Sequence, residues 1–133
     1  MRVLLAFFFF VFSFQIIAQE TTKSRRAAKA YREAKSAVAV QEYNTAKVFL
    51  EEALILDSRF VEAWILLGDV SIGLGDKKSG IEAYRKSIPL APRFSFPMYY
   101  RLANAEHSLG DYSEALQHIR KYLSSKKISE RYR

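Results

Sequence analysis

Residues 61–92 read VEAWILLGDVSIGLGDKKSGIEAYRKSIPLAP, and the fold is decided there. From about Arg59 to Leu74 apolar side chains recur at three- and four-residue steps, which is helical period. Gly75 stands where a helix C-terminus needs a left-handed residue. Asp76 follows as a cap for a second helix, roughly Lys77 to Leu90. Pro89 falls in its last turn and should end or bend it. Ala91-Pro92 forms the exit. Two helices joined by so short a turn must lie antiparallel.

The same skeleton appears twice more. Ala30, Trp64 and Tyr99 are in register, as are Ala34, Gly68 and Ala103. So are Ala46, Gly80 and Ala115, and Leu50, Tyr84 and Ile119. A period of about 34 residues marks stacked helix pairs, none of which buries its apolar face alone. The chain is therefore expected to be all-α: a solenoid of three stacked helix–turn–helix repeats at 27–60, 61–95 and 96–123. Small residues at Ala34, Gly68 and Ala103 let the helices of a pair cross closely. Ala46, Gly80 and Ala115 do the same for the next approach. Trp64, Leu67, Tyr84 and Leu102 should fill the gaps. Trp64 is expected in the core, where truncation to alanine costs about 3–5 kcal/mol.

The outer repeats are less regular. The first helix spans about Thr22 to Val40, and Gln41 replaces the turn glycine at a strain of about 1 kcal/mol. Tyr43 to Leu56 forms the second helix, with Asp57-Ser58 as its stop and Ser58 as the next cap. Ser95 can cap the fifth helix, Pro97 lies in its tolerant first turn, and Leu109-Gly110 ends it. Asp111-x-x-Glu114 is a variant capping box for the sixth. Ser124-Ser125 is expected to break that helix, leaving 124–133 as the start of an unfinished capping helix. The sixth helix would then leave an apolar face uncovered, including Ile119 and Tyr122.

Residues 1–18 stand outside this pattern. A single basic residue, an apolar run through Phe7-Phe8-Phe9-Phe10 and a small residue before a polar break describe a secretory signal peptide, with cleavage after Ala18. The run is short of the roughly 20 apolar residues that span a bilayer. The protein is expected to be exported to a periplasm or cell envelope, close to a membrane rather than across it. Residues 19–26 are a basic lead-in.

There are no cysteines, which excludes disulfides, thiolate metal sites and a cysteine nucleophile. The net charge is +7; losing Arg2 takes 21 basic residues to 20 against 14 acidic, or +6. The excess sits at the ends, in Lys23, Arg25, Arg26, Lys29, Arg32 and Lys35, and in Arg120, Lys121, Lys126, Lys127, Arg131 and Arg133. Such clusters solubilise helix surfaces, and they also suit an anionic polymer or lipid. Phosphate contact is charge-driven, but no nucleic-acid fold is present and nucleic acid is not an expected partner.

Trp64, Leu67-Gly68, Gly75-Asp76, Tyr84 and Pro92 resemble the tetratricopeptide repeat family. The third unit repeats the resemblance with Tyr99, Leu102-Ala103, Gly110-Asp111, Ala115, Ile119 and Tyr122. It covers residues 27 to 123. The exported start, Ala28-x-x-Tyr31-x-x-Ala34 and Phe96-Pro97-Met98-Tyr99-Tyr100-Arg101-Leu102-Ala103 also look like a bacterial envelope family. In that family such repeats precede propeller-like repeats and an OmpA-type domain. The resemblance implies a non-enzymatic protein–protein interaction scaffold, with no cofactor. Some members of the repeat family clamp a C-terminal carboxylate with Lys and Asn. The matching places here hold Tyr31, Lys35, Leu66, Pro97 and Arg101, only fragments of that clamp.

By register the concave groove is lined by Tyr31, Lys35, Val38, Ile65, Asp69, Ile72, Tyr100, Asn104 and His107. These side chains suit an extended peptide: Asn and Lys can bond its backbone and aromatic faces can pack its side chains. A neighbour packed on the last helix, by self-association or domain packing, is the other expected partner. The alternative is an electrostatic adaptor working through the terminal Lys/Arg clusters. His107 and His118 lie on different helices with no carboxylate at ligand spacing, so no metal site is expected. No nucleophile or phosphate-binding motif is present.

Overall fold

A computed structural model describes residues 21–92 and 95–131. Residues 1–18, expected to form a signal peptide, lie outside them. The described chain forms α1 (Arg25–Ala39), α2 (Tyr43–Leu56), α3 (Val61–Gly73), α4 (Lys77–Leu90), α5 (Ser95–Leu109) and α6 (Tyr112–Arg131). Each helix packs on its neighbours in the chain, α1 with α2, α2 with α3, and so on to α6. This is the expected solenoid of three helix pairs.

The three pair-forming turns share one geometry. The N–H groups of Glu42, Asp76 and Asp111 donate to the carbonyls of Ala37, Ser71 and Glu106, each at 2.9 Å. That six-residue closure requires a left-handed residue just before it. Gly75 and Gly110 supply it at φ 83° and 92°, and Gln41 supplies it at 62°. The glycine missing from the first unit has therefore not altered the turn. It has put a side chain into a conformation that disfavours one.

The helix starts are held in several ways. Ser24 Oγ accepts from Ala27 N at 3.2 Å, and Asp76 Oδ1 accepts from Ser79 N at 3.1 Å. Those bonds, from the side chain and backbone of Ser79, hold the Asp76 carboxyl below its usual range. Ser58 does not cap α3, contrary to expectation. Phe60 occupies that position, fully buried. Its neighbour's donor is satisfied from far away: Thr21 Oγ1 accepts from Val61 N at 3.2 Å. Thr22 bonds to Asp57, so the residues ahead of α1 are tied to the α2–α3 turn.

The first core is built largely from Ala27, Ala30, Ala34, Ala46 and Ala53, with Leu50 and Phe60. The small residues bring α1 and α2 close, and Phe60 fills the space that remains, its ring 4.9 Å from Tyr31. The second core joins Ile81 and Tyr84 of α4 to Met98, Leu102 and Ala105 of α5. Tyr84 and Leu102 are buried as expected. Trp64 packs against the first core as expected but is only partly buried: its indole N–H donates to the Ser58 carbonyl at 2.8 Å, and the Lys86 ammonium sits 5.0 Å from the ring. A ring that reaches from α3 between α2 and α4 cannot be closed over by either.

The end of the array also differs from expectation. The helix does not break at Ser124-Ser125, and α6 continues to Arg131. Serine costs a helix only about half a kcal/mol. The Ser124 hydroxyl donates to the Lys121 carbonyl one turn back, at 2.9 Å, so it is satisfied inside the helix.

Candidate protein-binding surface

The nine groove positions divide by what holds them. Val38 packs on the first core, and Ile65 and Ile72 pack on the second. Ile72 lies so closely over Gly80 that a Cβ there would come within 2.7 Å of it. Tyr31 leans on Phe60 and carries the Lys35 ammonium 4.8 Å from its ring. These positions shape the wall.

Asp69 is committed to a polar junction of three helices. Tyr84 Oη of α4 donates to Asp69 Oδ1 at 2.6 Å, and Arg101 of α5 pairs with the same oxygen. Burial, followed by the Asp69 bond and charge, pushes the Tyr84 phenol far above its ordinary value. Burial opposes the charge on Arg101, yet Asp69 and Tyr84 together hold its guanidinium above the usual value. Arg101, the last clamp fragment, is thus occupied inside the protein.

Tyr100, Asn104 and His107 remain. Tyr100 is exposed, with its ring 5.3 Å from Tyr122. Asn104 and His107 share a recess with Ala103 of α5 and Tyr112, Ala115, Leu116 and Ile119 of α6. This open cleft has a volume of ≈ 400 Å³, and its walls are mainly apolar. His107 stands edge-on to Tyr112 at 5.3 Å.

The cleft is explained by the repeat. Leu116, Ile119 and Leu123 lie one period after Ile81, Tyr84 and Ile88 of α4. There, α5 covers the α4 face, and Ile81 is 5% exposed. On α6 no described helix follows, and Leu116 is 49% exposed. Tyr112 and Leu123 are exposed on the same stripe. Tyr122, expected on this open face, packs instead against Phe96 at 4.7 Å and Tyr100. The helical spacing of Tyr112, Leu116, Ile119 and Leu123 was the signal that identifies the stripe.

Behind the cleft lies a buried charge. Glu106 is 0% exposed. Arg85 Nη2 of α4 donates to its Oε1 at 2.7 Å, and His118 Nδ1 of α6 lies 2.7 Å from Oε2. Tyr99 stacks on His118 at 5.9 Å. The carboxylate therefore joins three helices. Spacing between ionisable residues does not reveal it, but the period does: Glu106 is in register with Ala37 and Ser71, and both are buried. Among the described residues no group of three or more His, Cys, Asp or Glu could hold a metal ion. No described helix is long and apolar enough to cross a membrane.

The chain matches the tetratricopeptide repeat at residues 61–94 and 96–128. No curated protein matches it. Among solved structures it is similar to a crystal structure of MamA, at 26% identity and a TM-score of 0.76, covering 80% of this chain and 61% of that one. It therefore spans less than two thirds of MamA. The chain MamA 41-end from Desulfovibrio magneticus RS-1 is similar at 22% identity and a TM-score of 0.71, covering 77% and 58%. The second TPR of Spaghetti (RPAP3), bound to an HSP90 peptide, shares the fold at 14% identity and a TM-score of 0.69, covering 74% and 91%.

Proposed function

Because the chain belongs to the tetratricopeptide repeat family, a family typically of interaction scaffolds rather than enzymes, we propose that it is a protein–protein interaction scaffold of the bacterial cell envelope. It binds a protein segment in the concave groove or a neighbour on α6. The observation that carries this reading is the uncovered apolar face of α6 beside Asn104 and His107. A contiguous apolar recess rimmed by polar side chains is characteristic of an interaction site. A related fold bound to a peptide, the RPAP3 repeat, supports it. The envelope location rests on the signal-like residues 1–18 and on the likeness to envelope proteins that continue into propeller-like and OmpA-type domains.

A photo-crosslinking side chain at Tyr100, Asn104 or Leu116 should capture a partner in cells, and one at Val48 on α2 should not. Capture only from Val48 would refute the binding face. Recovery of the full-length chain in the cytosol, with its N-terminus unprocessed, would refute the envelope location.

A second reading is electrostatic. Lys23, Arg25, Arg26 and Lys29 are exposed at one end, and Arg120 and Lys121 at the other. Binding to vesicles containing anionic lipid would then weaken steeply as salt shortens the screening length. Flat salt dependence removes this reading.

A further inference from the structure

The two earlier junctions of the solenoid describe what fits the third. The face of α2 is covered by α3 through Ala63, Leu67 and Val70, and the face of α4 by α5 through Met98, Leu102 and Ala105. Each covering helix thus presents apolar residues at i, i+4 and i+7. At i+8 the two differ. α3 places Ser71 there, and α5 places Glu106, whose carboxylate meets Arg85 on α4. One period after Arg85 stands Arg120, exposed on α6, whereas one period before it stands Glu51. The face of α6 that no described helix covers therefore repeats the charge of the α4–α5 junction, not that of the α2–α3 junction.

Resting on the scaffold reading above, we propose that the α5–α6 cleft takes an amphipathic helix from a partner protein, with apolar residues at i, i+4 and i+7 and a carboxylate at i+8 that meets Arg120. This is helix-in-groove recognition. The apolar residues lie over Leu116 and Ile119, and the acid sets register and orientation, since complementary charge gives specificity more than affinity.

A second copy of the chain does not fit. The α1 positions in register with Met98, Leu102 and Ala105 are Lys29, Glu33 and Ser36, all exposed and polar. Copies stacked end to end would set that surface against the apolar stripe. Two α6 faces paired about a two-fold axis through the stripe would bring the two Arg120 side chains together, with no acid at the stripe positions Tyr112, Leu116, Ile119 and Leu123. Like charge across such a face disfavours it.

The test uses a peptide with the sequence of residues 95–109, stapled through the positions of Tyr100 and Asn104 to hold it helical, and a second peptide carrying Glu106→Lys. Fluorescence anisotropy with the full chain should show the acidic peptide binding at least tenfold tighter than the basic one. Arg120→Glu should reverse that order. Leu116→Asp should weaken both at least tenfold with an unchanged circular dichroism spectrum. Equal binding of the two peptides, binding indifferent to Leu116→Asp, or no binding overturns the proposal. So does a wild-type dimer that Leu116→Asp disperses. If crosslinks from Tyr100 or Asn104 still capture a partner, the scaffold reading survives that failure. If they capture nothing, it falls too.

Discussion

Replacing Gly68 with alanine adds a methyl group where α3 crosses α4. The new Cβ would lie 2.3 Å from Tyr84 Cε1 and 2.4 Å from Cδ1, far inside the 3.4–4 Å of ordinary contact. The ring cannot simply turn aside, because its hydroxyl is bonded to Asp69 and Asp69 is paired with Arg101. Either the helices part, an overpacking cost of about 1–3 kcal/mol, or the ring swings out and forfeits a charged hydrogen bond of about 1.5–3 kcal/mol. Alanine returns about 1 kcal/mol over glycine in helix propensity. The net effect is a loss of up to about 2 kcal/mol, centred near about 1. For a domain near 100 residues each kcal/mol lowers Tm by about 4–8 °C.

The outer units supply the control. Ala34 stands opposite Leu50 in register, and Ala103 opposite Ile119. Alanine is accommodated there because the facing side chain is aliphatic. Gly68→Ala made on a Tyr84→Leu background should therefore be neutral or stabilising, a coupling that a double-mutant cycle measures directly. Urea denaturation followed by circular dichroism gives all four stabilities. A Gly68→Ala protein more stable than the wild type by about 1 kcal/mol would refute the packing argument, since helix propensity alone would then account for the result.

Four further outcomes are expected. Glu106→Ala should cost about 1.5–3 kcal/mol in chemical denaturation, because it removes hydrogen bonds to a charged group while the Arg85 it frees is 52% exposed and can be solvated, and Glu106→Leu should cost clearly less. Trp64→Ala should fall short of the about 3–5 kcal/mol typical of a buried aromatic, nearer about 2, because the residue is only partly buried; circular dichroism is the readout, since Trp64 is the sole tryptophan. Gln41→Gly should stabilise the fold by about 1 kcal/mol through relief of the left-handed strain, seen as a raised Tm. Tyr84 has its folded pKa raised, so its contribution is complete below the ordinary value of 10.0 and is lost as pH rises through the higher folded value. The alkaline loss of stability should accordingly be shallower in Tyr84→Phe, and an ultraviolet titration of that variant should lack the last phenolate step.

The period made most of the architecture legible, because register carries burial from one unit to the next. Ala34, Gly68 and Ala103 could be paired with their roles before any contact was known. The same register shows Glu106 to be buried, a reading that attention to ionisable spacing passes over. Residue type misled where a local stop signal was weak. Ser58 and Ser124-Ser125 resemble a cap and a break, but one was displaced by Phe60, with the Thr21 hydroxyl accepting from Val61 N, and the others were absorbed into α6.

The sequence by itself determined the all-α class, the three helix pairs, the left-handed turn positions and the alanine-rich first core. These follow from helical period, turn chemistry and side-chain size, which act within a few residues or repeat at a fixed interval. Only the tertiary structure decided which groove side chains are spent on packing, that Asp69 is bound by Tyr84 and Arg101, and that Glu106 joins Arg85 to His118. It also decided that Leu116 stands open while Tyr122 is covered. Those outcomes depend on the angle and depth at which one helix meets another. Contacts between residues far apart in the chain set that geometry, and no local pattern encodes it.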